Sequence, residues 1–322
     1  MKILNKTTSI LVLLCFLLSC SLEETSQRTI LTKKTTIQYS QFKNPNAIFA
    51  NNQYLYISSD QETLMFDKTN HLLIDRLPIV LAHIDGDYLY SNNAQVYSSK
   101  GQFIESLPGA SSNANFYILS TEQKIYLANK TSNSKLAISA FSKGDRIFRD
   151  KTEQINFSVS IQNISLNKNN LYITQLEDAN PISVLQFYNF DLFTVLIFES
   201  SIKLVTSSEK YIYLYDGIKL KILNALDRTT HKKIYFIKEA KELLADNNYL
   251  YVRTDKSVQI WDKRAEQKIS TEYGDIKAMQ VDQDHLYIAQ DSNLTIIPKS
   301  HFKQIDYKKL SQFQNEISQI NE

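Results

Sequence analysis

One short pattern recurs seven times along this chain and leaves few folds open to it. A turn-forming cluster is followed by an aliphatic residue, a tyrosine and a second, usually aliphatic, residue. Asn51-Asn52-Gln53 precedes Leu55-Tyr56-Ile57, Asp85-Gly86-Asp87 precedes Leu89-Tyr90-Ser91, and Thr121-Glu122-Gln123 precedes Ile125-Tyr126-Leu127. The same order holds before Leu171-Tyr172-Ile173, Ile212-Tyr213-Leu214, Leu250-Tyr251-Val252 and Leu286-Tyr287-Ile288. The tyrosines stand 34, 36, 46, 41, 38 and 36 residues apart, and Ser91 is the one flanking residue that is not aliphatic. Repeats of this length mean one supersecondary unit copied along the chain, each copy burying its apolar face against the next.

Within a unit the alternation has period two, with Asn, Asp, Gly and Ser between the runs, which is the mark of hairpins. The first unit divides into strands near 47–50, 54–58, 63–66 and 72–77. An apolar residue falls ten positions after the tyrosine in four units: Phe66, Leu223, Trp261 and Ile297. Four strands in 35–45 residues is the size of a propeller blade, so the chain is expected to be all-β, a seven-bladed β-propeller of four-stranded antiparallel blades over residues 35–308. Two unrelated β-sandwiches are the competing arrangement. Thr35 to Ser40 alternates like a strand ahead of the first unit and is expected to pair into the last blade, whose own strands are read from about Ile276 to Tyr307. Residues 309–322 are read as a polar C-terminal tail.

Chemistry is harder to find. The 36 basic and 34 acidic side chains nearly cancel, and no basic stripe points to nucleic acid or to an anionic lipid surface. His71, His83, His231, His285 and His301 show no metal-ligand spacing and are read as solvated turn residues. Asp85-Gly86-Asp87 and Asp282-Gln283-Asp284 have a calcium-like D-x-D form, but other units carry Asn or Thr-Glu at the same place, so turn formation accounts for them more simply. No nucleophile elbow, phosphate loop or H-E-x-x-H motif occurs. The expectation is no catalytic residue, no metal and no cofactor. Two longer units stand out. Gly144 to Asn156 is a charged excursion, and Ile182 to Phe198 is unusually apolar; it reads as buried strands, with Tyr188 and Phe190 as the alternative, an exposed aromatic contact for a partner.

The N-terminus gives an address. Lys2 and Lys6 precede an apolar run from Ile10 to Leu18, a secretory signal too short for a permanent membrane helix. Leu17-Leu18-Ser19-Cys20 closes it and resembles the bacterial lipobox. That resemblance implies a signal peptide over 1–19, cleavage before Cys20 and acylation of Cys20, with 20–34 as a flexible tether. Ser21 after the cysteine implies the outer membrane. The chain has two cysteines, Cys15 and Cys20, so the exported body has none to pair.

The repeats resemble the WD40, NHL and quinoprotein-like propellers as a group. Ile260-Trp261-Asp262 is similar to the WD ending, although it occurs once and without its Gly-His partner. Lipidated cysteine, short tether and propeller together resemble the propeller lipoprotein of the outer-membrane β-barrel assembly machinery, usually described with eight blades. This resemblance implies a monomeric, non-enzymatic scaffold that binds protein partners on the periplasmic side of the outer membrane and maps no binding residue. A cell-surface lipoprotein for host or environmental ligands and a propeller enzyme acting on glycan or peptide are the alternatives.

Overall fold

The structure is a computed structural model and describes residues 34–39, 42, 44–107, 116–121, 124–129, 136–143, 151–157, 160–166, 170–177, 180–188, 195–235, 239–262 and 268–304. Residues 1–33, which hold the expected signal, Cys20 and most of the expected tether, as well as Phe190 and residues 305–322, lie outside them. Among the described residues 28 strands form seven four-stranded antiparallel sheets.

Strand β1 (Thr35–Gln38) stands apart in sequence. The first sheet is β2 (Ala47–Ala50), β3 (Tyr54–Ser58), β4 (Thr63–Asp67) and β5 (Leu73–Leu77); the second is β6 (Leu81–Asp85), β7 (Tyr88–Ser91), β8 (Gln95–Ser98) and β9 (Phe103–Ser106). The third is β10 (Phe116–Ser120), β11 (Lys124–Asn129), β12 (Leu136–Ser142) and β13 (Lys151–Phe157). The fourth is β14 (Ser160–Leu166), β15 (Asn170–Glu177), β16 (Asn180–Tyr188) and β17 (Val195–Ser200). The fifth is β18 (Leu204–Ser207), β19 (Tyr211–Tyr215), β20 (Lys219–Asn224) and β21 (Thr230–Tyr235), and the sixth β22 (Glu242–Ala245), β23 (Tyr249–Arg253), β24 (Ser257–Asp262) and β25 (Lys268–Glu272). The seventh holds β26 (Ala278–Val281), β27 (His285–Ala289) and β28 (Asn293–Pro298), with β1 as its outer strand.

Each of the seven triplets lies within a second strand, and all seven tyrosines are buried. Side chains alternate across a strand, so the tyrosine faces one neighbouring sheet and its flanking residues face the other. Tyr56 packs with Leu89 of the second sheet, Tyr90 with Ile125 and Leu127 of the third, and Tyr172 with Ile212 and Leu214 of the fifth. Tyr213 packs with Leu250 and Val252, and Tyr251 with Leu286 and Ile288. Tyr287 of the last sheet packs with Leu55 and Ile57 of the first. Both faces of each triplet are therefore core, which is why it reads as a continuous apolar run rather than an alternating one. The innermost strands touch in the order β14–β18–β22–β26–β2–β6–β10, so the last sheet abuts the first.

The ten-residue offset also has a structural meaning. Phe66, Leu223, Trp261 and Ile297 each sit on the third strand opposite the residue before the tyrosine. In the second to fourth sheets that place falls to Tyr97, Phe141 and Phe187, because the hairpin between the strands is shorter or longer there.

Thr35 and Gln38 pair with Ile296 and Asn293, so the N-terminal strand does join the last sheet. Its fourth place is thereby taken. The strands read as far as Tyr307 accordingly end at Pro298, where the chain turns into a 3-10 helix, Lys299–Gln304. Lys151 to Asn156 of the charged excursion form most of β13, and the apolar stretch supplies β16 and β17. Tyr188 ends β16 opposite Asn170.

Each sheet has two ends. The turns joining its first and second strands, and its third and fourth, lie at one end, here the lower. The turn joining second to third, and the link to the next sheet's inner strand, lie at the upper end. Among the described residues no helix is long and apolar enough to cross a membrane.

Candidate functional site

The lower ends are held by a unit larger than the triplet. Five residues before each tyrosine stands a side chain that can accept hydrogen bonds: Asn51, Asp85, Thr121, Asn167, Ser208, Asp246 and Asp282. Five of them, Asn51, Thr121, Ser208, Asp246 and Asp282, cap the first turn, whereas Asp85 pairs with Lys143 and Asn167 lies outside the described residues. Asn51 Oδ1 accepts from the amides of Gln53 and Tyr54, Asp246 Oδ1 from Asn248 and Tyr249, and Asp282 Oδ1 from Asp284 and His285. Thr121 and Ser208 do the same with one amide each. Such local bonds are why Asn, Asp, Ser and Thr dominate tight turns.

The other carboxylate oxygen faces inward. Tyr251 Oη donates to Asp246 Oδ2 at 2.8 Å and Tyr287 Oη to Asp282 Oδ2 at 2.7 Å. A lysine following the third strand of the next sheet completes each group. Lys299 reaches Asp246, Lys68 reaches Asp282 at 2.8 Å, and Lys143 reaches Asp85 and the Thr121 carbonyl. Burial alone would raise the pKa of Asp246 and Asp282, but these lysines and the turn amides outweigh it and hold both carboxyls below their ordinary value. Burial, and the carboxylates beside them, raise the hydroxyls of Tyr251 and Tyr287. In the D-x-D turns the first aspartates are thus engaged by protein groups, Asp282 through both oxygens and Asp85 through Lys143. Among the described residues no three His, Cys, Asp or Glu side chains gather to hold a metal ion.

His83 is the histidine with chemistry around it. It lies on β6, not in a solvated turn, and His231 and His285 likewise fall on β21 and β27. Of the others, His71 does occupy a turn, with φ of 63°, and His301 lies in the 3-10 helix. His83 Nε2 is 2.7 Å from Ser120 Oγ on β10, and its ring lies 5.8 Å from that of Tyr90. Burial, aided by Lys143 and opposed by Asp85, lowers its pKa to about 4. The imidazole is therefore neutral at pH 7 and ties two inner strands together. A base this weak gives a serine little driving force for proton transfer, and Asp85 is committed to Lys143.

The upper ends present a different repeat. Lys203, Lys241 and Lys277 stand ten residues before Tyr213, Tyr251 and Tyr287, each one residue ahead of or near the start of an inner strand. Their backbone amides bond the same strand position of their sheets, Tyr215, Arg253 and Ala289. Aspartates line the neighbouring turns. Lys241 is 3.5 Å from Asp255, and Lys277 is 2.7 Å from Asp275 and 3.7 Å from Asp291. Ile218 projects from the upper turn of the fifth sheet, 72% exposed. Beside this row Arg253 pairs with Glu242 at 2.8 Å and donates to the Ile276 carbonyl of the next sheet.

The side chain of Tyr188 and the whole of Phe190 lie outside the described residues, as does Cys20. Both arrays escape a search for contiguous motifs. Reading the sequence in register with the tyrosines, at minus ten, minus five and plus twelve, would reveal all but Lys143, which the longer hairpin of the third sheet moves to plus seventeen.

No family model matches the chain, and no curated protein matches it in sequence. Solved structures do. The WD40 domain of Neurospora crassa Pan2 superposes with a TM-score of 0.62 at 11% identity, covering 82% of this chain and 95% of that one. The fold is a β-propeller. The AfRom2 CNH domain matches with a TM-score of 0.60 at 10% identity, over 82% of this chain and 98% of that one. PorZ, an essential bacterial surface component of the type-IX secretion system of Porphyromonas gingivalis, gives 0.57 at 9% identity over 79% of this chain. The propeller spans 36% of PorZ. At these identities the likeness establishes the fold alone, with four-stranded antiparallel blades.

Proposed function

We propose that this is a lipid-anchored, non-catalytic scaffold: a closed ring of seven blades, tethered through Cys20 to the outer membrane, that binds protein partners on its upper face. The lipobox-like Leu17-Leu18-Ser19-Cys20 supports the anchor, and the periplasmic side of that membrane is the favoured location. WD40 and CNH propellers among the similar structures are in keeping with a binding module.

The observation that carries the binding face is the row of Lys203, Lys241 and Lys277. Exposed ion pairs such as Lys241–Asp255 contribute only about 0–1 kcal/mol to stability. Holding the fold is therefore a poor reason for lysine at one register position in three consecutive blades. Recognition of a partner that reads alternating Lys and Asp is a better one, since charge patterns set orientation and association rate. Ile218 supplies an apolar anchor beside the row. Reversing all three charges, with Lys203→Glu, Lys241→Glu and Lys277→Glu together, is expected to reduce partner capture from crosslinked membranes about tenfold or more. The melting temperature should stay within a few degrees of the unsubstituted protein, because the lower-end groups are untouched. Capture at full yield by the triple variant would remove the upper face from the function.

A further inference from the structure

The exposed apolar side chains are not scattered over the propeller. Among the described residues the large ones are Leu72, Leu73, Ile74, Tyr88, Phe103, Ile104, Ile218 and Leu226. All except Ile218 belong to the lower ends of their blades. Leu72 to Ile74 begin the outer strand of the first blade, opposite Phe66 at the end of β4. Phe103 and Ile104 begin the outer strand of the second, opposite the end of β8, and Tyr88 follows the first turn of that blade. Leu226 lies in the turn after β20 and is 98% exposed.

The chain enters the propeller at the same place. β1 runs antiparallel to β28, with Thr35 towards the lower end and Gln38 beside Asn293 at the upper. Its blade adjoins the first, and the first adjoins the second. The 14 residues from Ser21 to Lys34 reach at most about 50 Å when fully extended. A lipid on Cys20 would keep the lower end of the last blade within that distance of the bilayer, with the lower ends of the first and second blades next along the ring.

We propose that the lower rim of the first two blades is a second membrane contact, with Leu72, Leu73, Ile74, Phe103 and Ile104 seated in the lipid interface and the upper face turned away. The inference rests on the lipid anchor proposed above. One anchor leaves a ring free to tumble on its tether, whereas an apolar rim on the tethered side fixes its orientation. Clustered exposed aliphatic and aromatic residues of this kind suit the boundary between headgroups and acyl chains. Three aspartates at this end, Asp85, Asp246 and Asp282, are neutralised by Lys143, Lys299 and Lys68.

The cysteine usage makes the test clean, since the mature body holds no free thiol of its own. Full-length lipidated protein carrying Ile74→Cys, Phe103→Cys or Ile218→Cys is labelled with an environment-sensitive fluorophore. It is then mixed with phosphatidylethanolamine–phosphatidylglycerol vesicles containing chain-spin-labelled lipid. Labels at positions 74 and 103 should be quenched roughly twofold or more, as expected within 5–10 Å of the interface, and the label at 218 left unchanged. Protein that floats with the vesicles yet shows no quenching at 74 and 103 overturns the rim contact while leaving the anchor intact. Protein that does not float overturns the anchor and the inference with it. Shielding of 74 and 103 in native membranes but not in pure lipid would assign the rim to a protein and also overturn the lipid contact.

Discussion

Removing residues 34–42 is expected to lower the melting temperature by about 10–20 °C, the equivalent of roughly 5 kcal/mol or more in a chain of this size. The segment does more than add one strand. Tyr39 and Phe42 are buried in the core shared by the first and last blades and meet edge to face at 5.7 Å. The Tyr39 hydroxyl lies between the carbonyls of Gln290 and Asn293, and its amide bonds the Ser292 carbonyl. Deletion exposes β28 as a new edge, opens that core and takes away the strand that joins the two ends of the chain. Tyr39→Phe should recover most of the loss relative to Tyr39→Ala, since the ring is kept. A thermal melt of the deletion within two or three degrees of the intact protein would show that the ring closes without this strand.

The second large effect is expected at Tyr287. Tyr287→Ala removes a buried ring between the last and first blades, a change that costs about 3–5 kcal/mol in a packed core. Tyr287→Phe keeps the ring and loses the bond to Asp282, about 1.5–3 kcal/mol for a bond to a charged acceptor. The smaller loss is informative. Asp282 stays paired with Lys68, so combining Tyr287→Phe with Lys68→Met should destabilise by more than the sum of the two, because the half-buried carboxylate then keeps only its turn amides. Additive losses in chemical denaturation would mean that tyrosine, aspartate and lysine do not act as one group.

The repeat and strand order were legible in the sequence because both faces of each triplet are buried, so the aliphatic-Tyr-aliphatic signature is forced in every copy. Closure by Thr35–Gln38 was legible for a related reason: a lone alternating strand ahead of the first repeat has nowhere else to pair. The limit of the last blade was not. Its sequence runs on without a break past Pro298, and only the occupied outer position stops the sheet. The histidines misled because His83 is flanked by a turn in sequence yet lies against Tyr90 and Ser120 in space. The two charged arrays were hidden differently. Their members come from different blades, so Lys68 stands more than two hundred residues from Asp282 and shares no local motif with it. Tyr188 and Phe190 remain a proposal from sequence.

Anchor, upper binding face and lower rim all depend on the state of Cys20, and the intact mass of the mature protein taken from membranes tests that state directly. The expected result is a chain that begins at Cys20 and carries diacylglyceryl on its thiol, with Cys20→Ala leaving the protein uncleaved and unacylated. A mature protein that begins elsewhere, or that begins at Cys20 without lipid and fractionates with the soluble proteins, would contradict the account of an anchored propeller.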